Sequence, residues 1–166
     1  MDMILESQYV SEKQAFIKLL TGARMHEIVY AESFCLIFFK NSEDNGVWKN
    51  EKMNLLIDAP FWVGDKSQWE KLMKESDSII AMDDTMLAYE LVNIRYDNLI
   101  EVHKIEFLEK YLCISLDNGK MLSIAYDNES DFAWMLEAYD DKNLQVKLII
   151  GCDGSEIYAK NIPQMI

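Results

Sequence analysis

The segment that most restricts the fold is residues 111–126, where two apolar runs flank the dipeptide Asn118-Gly119. Asn-Gly between β-prone runs favours a two-residue type I′ turn, because both central positions of that turn need positive φ. A β-hairpin is therefore expected, with Asp117 paired to Lys120. In that register Leu112, Ile114 and Leu116 share a face with Met121, Ser123 and Ala125, while Tyr111, Cys113 and Ser115 share the other with Leu122, Ile124 and Tyr126. Both faces are largely apolar, which predicts a central hairpin covered on both sides.

Around it the pattern alternates between short helices and strands. Ser11 followed by Gln14 is a capping pattern, Ala15, Phe16, Leu19 and Leu20 recur at helical spacing, and Gly22 suits a helix end, so a helix is expected over 11–21. Residues 26–40 are rich in β-branched and aromatic side chains and read as two strands divided at 31–33. A polar loop at 41–46 precedes a strand over 48–58, which Pro60 closes because proline donates no ladder hydrogen bond. Asp65 and Gln68 repeat the capping pattern ahead of Trp69, Leu72 and Met73, a second short helix. Leu87, Leu91 and Ile94 share one face of a third helix at 84–94, although 89–96 also reads as a strand. Residues 99–109 are expected to add a strand beside the hairpin. Ser130 is expected to cap a helix containing Phe132, Trp134, Met135 and Tyr139, and 145–151 pairs with 156–160 around Asp153-Gly154. No repeated βαβ unit is present, which predicts an α+β fold, mainly antiparallel β-sheet with a central hairpin and several short packed helices. Without internal repeats or a Pro/Ser-rich linker, residues 1–166 read as a single domain.

Charge narrows the partners. The chain carries 29 Asp plus Glu against 16 Lys plus Arg, a formal net charge of -13, and its arginines are Arg24 and Arg95. Direct binding to nucleic acid or to an anionic membrane is disfavoured, since phosphate contacts require clustered cations. The acids fall in two runs: Asp127, Glu129, Asp131, Glu137, Asp140 and Asp141, uninterrupted by Lys or Arg, and Glu75, Asp77, Asp83, Asp84 and Glu90. The complement to such patches is a basic protein, and the plain alternative is a solvated face that maintains solubility. Met1 to Glu6 has acids at both ends of a short apolar run, unlike a secretory signal, and Cys35, Cys113 and Cys152 are widely spaced in apolar surroundings. Reduced, buried thiols in a cytoplasmic protein are the expectation.

Catalytic motifs are not found. His26 and His103 lie far apart with no zinc-like flanks, so no metal site is expected. No GxGxxG or GxxxxGKS/T run is present to cradle a phosphate, and no cofactor is expected. Cys35, His103 and Asp117 supply the residue types of a nucleophilic triad without its local signature. Asp127-Asn128-Glu129 and Asp153-Gly154 lack a twelve-residue calcium loop and read as turns. Phe61 and Trp62, beside Pro60, are candidate aromatic anchors for a partner, or else plugs at the end of a sheet.

An acidic α+β chain with these features, the runs 75–84 and 127–141, the helix from Ser11 to Gly22 and the hairpin around Asn118-Gly119, resembles bacterial toxin immunity proteins, especially those of contact-dependent growth inhibition systems. The resemblance is to the character of the whole chain. It implies a cytoplasmic, non-enzymatic protein that neutralises a cognate basic toxin domain, a nuclease acting on tRNA or DNA, by blocking its active site. The alternatives are a small hydrolase or transferase using paired carboxylates, and an accessory or regulatory subunit with an exposed apolar patch.

Overall fold

A computed structural model describes residues 11–44, 46–96, 100–126, 132–140, 142–154 and 156–163. Among these, three helices and ten strands follow the order α1 (Glu12–Leu20), β1 (Arg24–Ala31), β2 (Ser33–Asp44), β3 (Val47–Ile57), β4 (Phe61–Asp65), α2 (Lys66–Glu75), α3 (Asp84–Tyr96), β5 (Val102–Phe107), β6 (Tyr111–Leu116), β7 (Lys120–Ala125), β8 (Trp134–Tyr139), β9 (Val146–Cys152) and β10 (Ile157–Asn161). The strands form two antiparallel sheets, one of six in the order β1-β2-β3-β8-β9-β10 and one of four in the order β4-β7-β6-β5. The fold is mainly β with a few helices.

The β6–β7 hairpin occupies the middle of the four-stranded sheet, but its register differs by one residue from the expected one. Ser115 pairs with Met121 and Ile114 with Leu122, leaving Asp117, Asn118 and Gly119 as a three-residue loop. The Gly119 N–H donates to the Leu116 carbonyl at 3.2 Å, and the Lys120 N–H donates to Asn118 Oδ1 at 3.0 Å. Positive φ is taken by Gly119 alone, at 85°, because Asn118 is not among the left-handed residues. This matches a type I turn completed by a glycine bulge. The physical gain is segregation: Leu112, Ile114, Leu116, Leu122 and Ile124 now all enter one core, and Tyr111, Cys113, Met121 and Ala125 enter a second. In the expected register these groups would have been mixed.

The first core lies between the sheets. Phe34, Leu36 and Phe38 of β2, Met53, Leu55 and Ile57 of β3, and Trp134, Leu136 and Ala138 of β8 face the aliphatic side of the hairpin. Helix α1 closes one flank, with Ser11 Oγ accepting the Gln14 N–H at 3.2 Å and Phe16 packing edge-on against Trp134 at 5.0 Å. Helix α3 closes another, inserting Leu87, Leu91 and Ile94. The second core lies on the opposite face of the smaller sheet, where Trp69 of α2 packs against Trp62 at 5.5 Å and Tyr111 at 4.9 Å.

Three further expectations are corrected. The helix expected from Ser130 is absent among the described residues: Ser130 itself lies outside them, and Trp134 to Tyr139 form strand β8, alternating buried and half-buried. With β3 on one side and β9 on the other, the strand satisfies both rows of its backbone groups, which outweighs helical spacing. The Asp65 carboxylate makes no cap hydrogen bond to α2, but pairs with Lys120 Nζ at 3.0 Å across the β4–β7 ladder. The polar loop expected at 41–46 is also shorter, because β2 continues to Asp44.

The two cores give two stability predictions. Gly119→Ala has open space for its methyl group, so only the left-handed backbone penalty applies, about 1–2 kcal/mol, read as a lower urea midpoint with unchanged near-UV circular dichroism. Gly64→Ala places a methyl carbon 2.8 Å from the Trp62 indole. That crowding should cost about 1–3 kcal/mol and alter the tryptophan near-UV signal, since Trp62 must leave its contact with Trp69.

Candidate functional site

Of the acids singled out in the sequence, Asp127, Glu129, Asp131 and Asp141 lie outside the described residues. The other two members of that run have local roles. Asp140 Oδ1 accepts the Leu144 N–H at 2.9 Å and the Gln145 N–H at 3.4 Å, which lowers its pKa and organises the β8–β9 turn. Glu137 stands half-buried on the outward face of β8, opposite Asn54 in the ladder. Desolvation raises its pKa, against hydrogen bonding from Asn54 and the charge of Lys52. Asn54 Nδ2 also donates to the Tyr139 hydroxyl at 3.0 Å, and Lys52 Nζ lies 4.4 Å from the Tyr139 ring centroid. Amide, ammonium and phenol groups thus accompany the Glu137 carboxyl on this face.

The second run is brought beside β1. Asp83 Oδ1 accepts the Met86 N–H at 2.9 Å and so caps the first turn of α3. Asp84 Oδ2 accepts the Tyr30 hydroxyl at 2.5 Å, a bond that raises the Tyr30 pKa. Glu75 ends α2, and Asp77 is exposed on the segment between α2 and α3. Between the β1–β2 turn, the β3–β4 connection and the start of α3 lies a hollow of about 540 Å³, bordered by Tyr30, Glu32, Asp58 and Asp84 over a floor of Phe34, Ile57, Phe61 and Leu87. Glu32 forms the turn itself at φ 76°, a left-handed conformation a glycine would adopt without strain. The ion pairs given by Arg24–Glu101, Lys104–Glu106 and Lys120–Asp65 lie elsewhere, so no Lys or Arg among the described residues neutralises these three carboxylates.

Phe61 and Trp62 are both buried, at 3% and 4% exposure, Phe61 edge-on to Phe34 and Trp62 in the second core. Neither is presented as a surface anchor. The exposed aromatics among the described residues are Tyr30 at 52%, Tyr89 at 64% and Tyr96 at 79%, joined on α3 by Met86 and Val92. Sequence reasoning passed over them because Leu87, Leu91 and Ile94 already account for the buried side of α3. The signal was the surplus: Tyr89, Val92 and Tyr96 at i, i+3 and i+7 make a second apolar stripe that a surface helix does not need.

Cys35 is half-buried on the outward side of the six-stranded sheet, whereas His103 and Asp117 belong to the other sheet, so these three do not assemble. The three cysteines are free thiols, and burial raises the pKa of each. No three His, Cys, Asp or Glu side chains among the described residues converge closely enough to hold a metal ion. No described helix is long and apolar enough to cross a membrane. Compared with protein families, with characterised proteins and with solved structures, the chain matches none.

Glu137 gives a pH prediction. Its native pKa lies above that of the unfolded chain, about 4.3, so the native state holds more protons between the two values and stability falls as pH rises through that window. Glu137→Gln should remove this component. Urea midpoints measured at intervals from pH 4 to neutrality should fall less steeply for the variant than for the parent protein.

Proposed function

We propose that this chain is an immunity-type inhibitor that binds a basic toxin domain of the nuclease class and neutralises it by steric and electrostatic blockade, without chemistry of its own. The observation that carries the reading is helix α3, which exposes Met86, Tyr89, Val92 and Tyr96 along its length and at its N-terminal end borders the hollow that Tyr30 shares with the acids Glu32, Asp58 and Asp84, next to Asp83. Tyrosines supply large, rigid contact area at little entropic cost, and such side chains dominate binding energy at protein interfaces. The acids supply complementarity to the Lys and Arg groups with which a nuclease holds phosphate. A net charge of -13 extends the attraction beyond contact range and raises the association rate. Both ingredients occur at α3 and the adjoining β1–β2 turn, which is why this surface is favoured over the 127–141 run, where Glu137 and Asp140 are engaged locally.

Co-purification from the native cell identifies the partner, and the recombinant pair then tests the mechanism. The expected result is a basic protein whose cleavage of nucleic acid stops at equimolar inhibitor, with association slowed by added salt. Joint replacement Tyr89→Ala and Tyr96→Ala should weaken the complex about 30-fold or more, corresponding to about 2 kcal/mol. Asp83→Asn with Asp84→Asn keeps a capping side chain at position 83 and should reduce mainly the association rate. An acidic partner, or a complex indifferent to both variant pairs, refutes the reading.

A further inference from the structure

The hollow at the β1–β2 turn has a more specific chemistry than a negatively charged patch. Its floor is apolar and belongs to the main core: Phe34, Ile57, Phe61 and Leu87 are all buried. Its rim is anionic, and the three carboxylates come from three separate elements, Glu32 from the turn, Asp58 from the β3–β4 connection and Asp84 from the first residue of α3. Such a cavity matches a ligand with an aliphatic stem and a cationic head, the stem covering apolar wall while the head meets the rim.

The spacing of the rim selects the head. These acids border one cavity of about 540 Å³ yet are not clustered tightly enough to hold a metal ion, so a bare divalent cation fits poorly and a broad organic cation fits better. A guanidinium carries five N–H donors in a plane and can engage carboxylates in different directions, whereas an ammonium is a compact point charge. Tyr30 adds an aromatic wall: its hydroxyl is held by Asp84 and its ring lies 4.7 Å from that of Phe34, tilted by 45°, while the residue stays half exposed. A planar guanidinium stacks on such a ring more readily than an ammonium does. The N-terminus of α3 contributes an opposing partial positive charge of about half a unit, which Asp83 and Asp84 outweigh.

We propose that this hollow is the seat for a single arginine side chain of the partner, a reading that rests on the inhibitor function above and names the chemistry it recognises. The test uses Nα-acetyl-L-argininamide as probe, with Nα-acetyl-L-lysinamide and the neutral Nα-acetyl-L-norleucinamide as comparators, so that the side chain carries the only charge, followed by amide and methyl NMR shifts of the full chain. Saturable shifts should centre on Tyr30, Ser33, Ile57 and Leu87, with argininamide binding about fivefold more tightly than lysinamide, roughly 1 kcal/mol, and norleucinamide giving no saturable shift. Asp58→Asn and Asp84→Asn should each weaken argininamide by about fivefold. Glu32→Gly suits the left-handed turn, so it removes the carboxylate in a folded protein and should weaken binding likewise.

Lysinamide binding as tightly as argininamide, shifts centred elsewhere, or affinity unchanged in folded variants would overturn the assignment. The two levels separate cleanly. If a basic nuclease is captured and the Tyr89/Tyr96 variants weaken it while the hollow ignores argininamide, the arginine seat fails and the inhibitor function stands. If argininamide titrates as expected but no basic partner is inhibited, the seat stands and the inhibitor function fails.

Discussion

The architecture depends on the β6–β7 hairpin, at the middle of the four-stranded sheet, being buried on both faces. Every residue of β6 is buried, as is every residue of β7 after Lys120, and no soluble sheet satisfies that unless something covers each side. The six-stranded sheet supplies one cover, and α2 with the adjoining chain around Ile80 supplies the other. The loop at Asp117, Asn118 and Gly119 determines which side chains go to which cover. A slip of one residue between β6 and β7 would redirect one strand's side chains, mixing the large aliphatics of the main core with Ser123 and Met121.

From that constraint follows the placement of the surfaces. The larger sheet spends its inner face on the main core, and its outer face keeps a mixed set of half-buried groups, among them Cys35, Lys52, Asn54, Glu137 and Tyr139. At the flank between β1 and β4, the seam between the sheets is filled by α3 through three aliphatic side chains. The helix can bury only one side there. Its other side carries Tyr89, Val92 and Tyr96 outward, and its first turn meets the β1–β2 turn where the core floor comes close to the surface. The candidate site is thus a product of how two sheets and a helix join.

Acidity alone would have been a poor guide to that site, because carboxylates do two kinds of work here. Asp117 accepts the Glu101 N–H, Asp140 accepts two N–H groups of its turn, Asp153 accepts the Glu156 N–H, and Asp65 pairs with Lys120. These acids complete turns and ladders in a fold with many short connections. Glu32, Asp58 and Asp84 differ because apolar floor and aromatic wall lie beside them while no described cation does. Their meaning resides in that company.

What the chain's own letters determined were the features encoded within a few residues: the Ser11 cap and the helix behind it, the paired strands within 26–40, the end of β3 before Pro60, and the turns at Asn118-Gly119 and Asp153-Gly154. Capping geometry, turn chemistry and β-branched enrichment act locally, so they are visible without knowing the neighbours. Tertiary structure decided the rest. Trp134 to Tyr139 became a strand because β3 and β9 offered hydrogen bonds on both sides, and the hairpin took its register because two separate cores had to be filled. Trp62 went inward against Trp69 while Tyr89 and Tyr96 stayed out, and Glu32, Asp58 and Asp84 met across 52 residues of chain. Each outcome is a competition among groups distant in sequence for a limited amount of buried space, and such a competition is settled only when the whole chain packs.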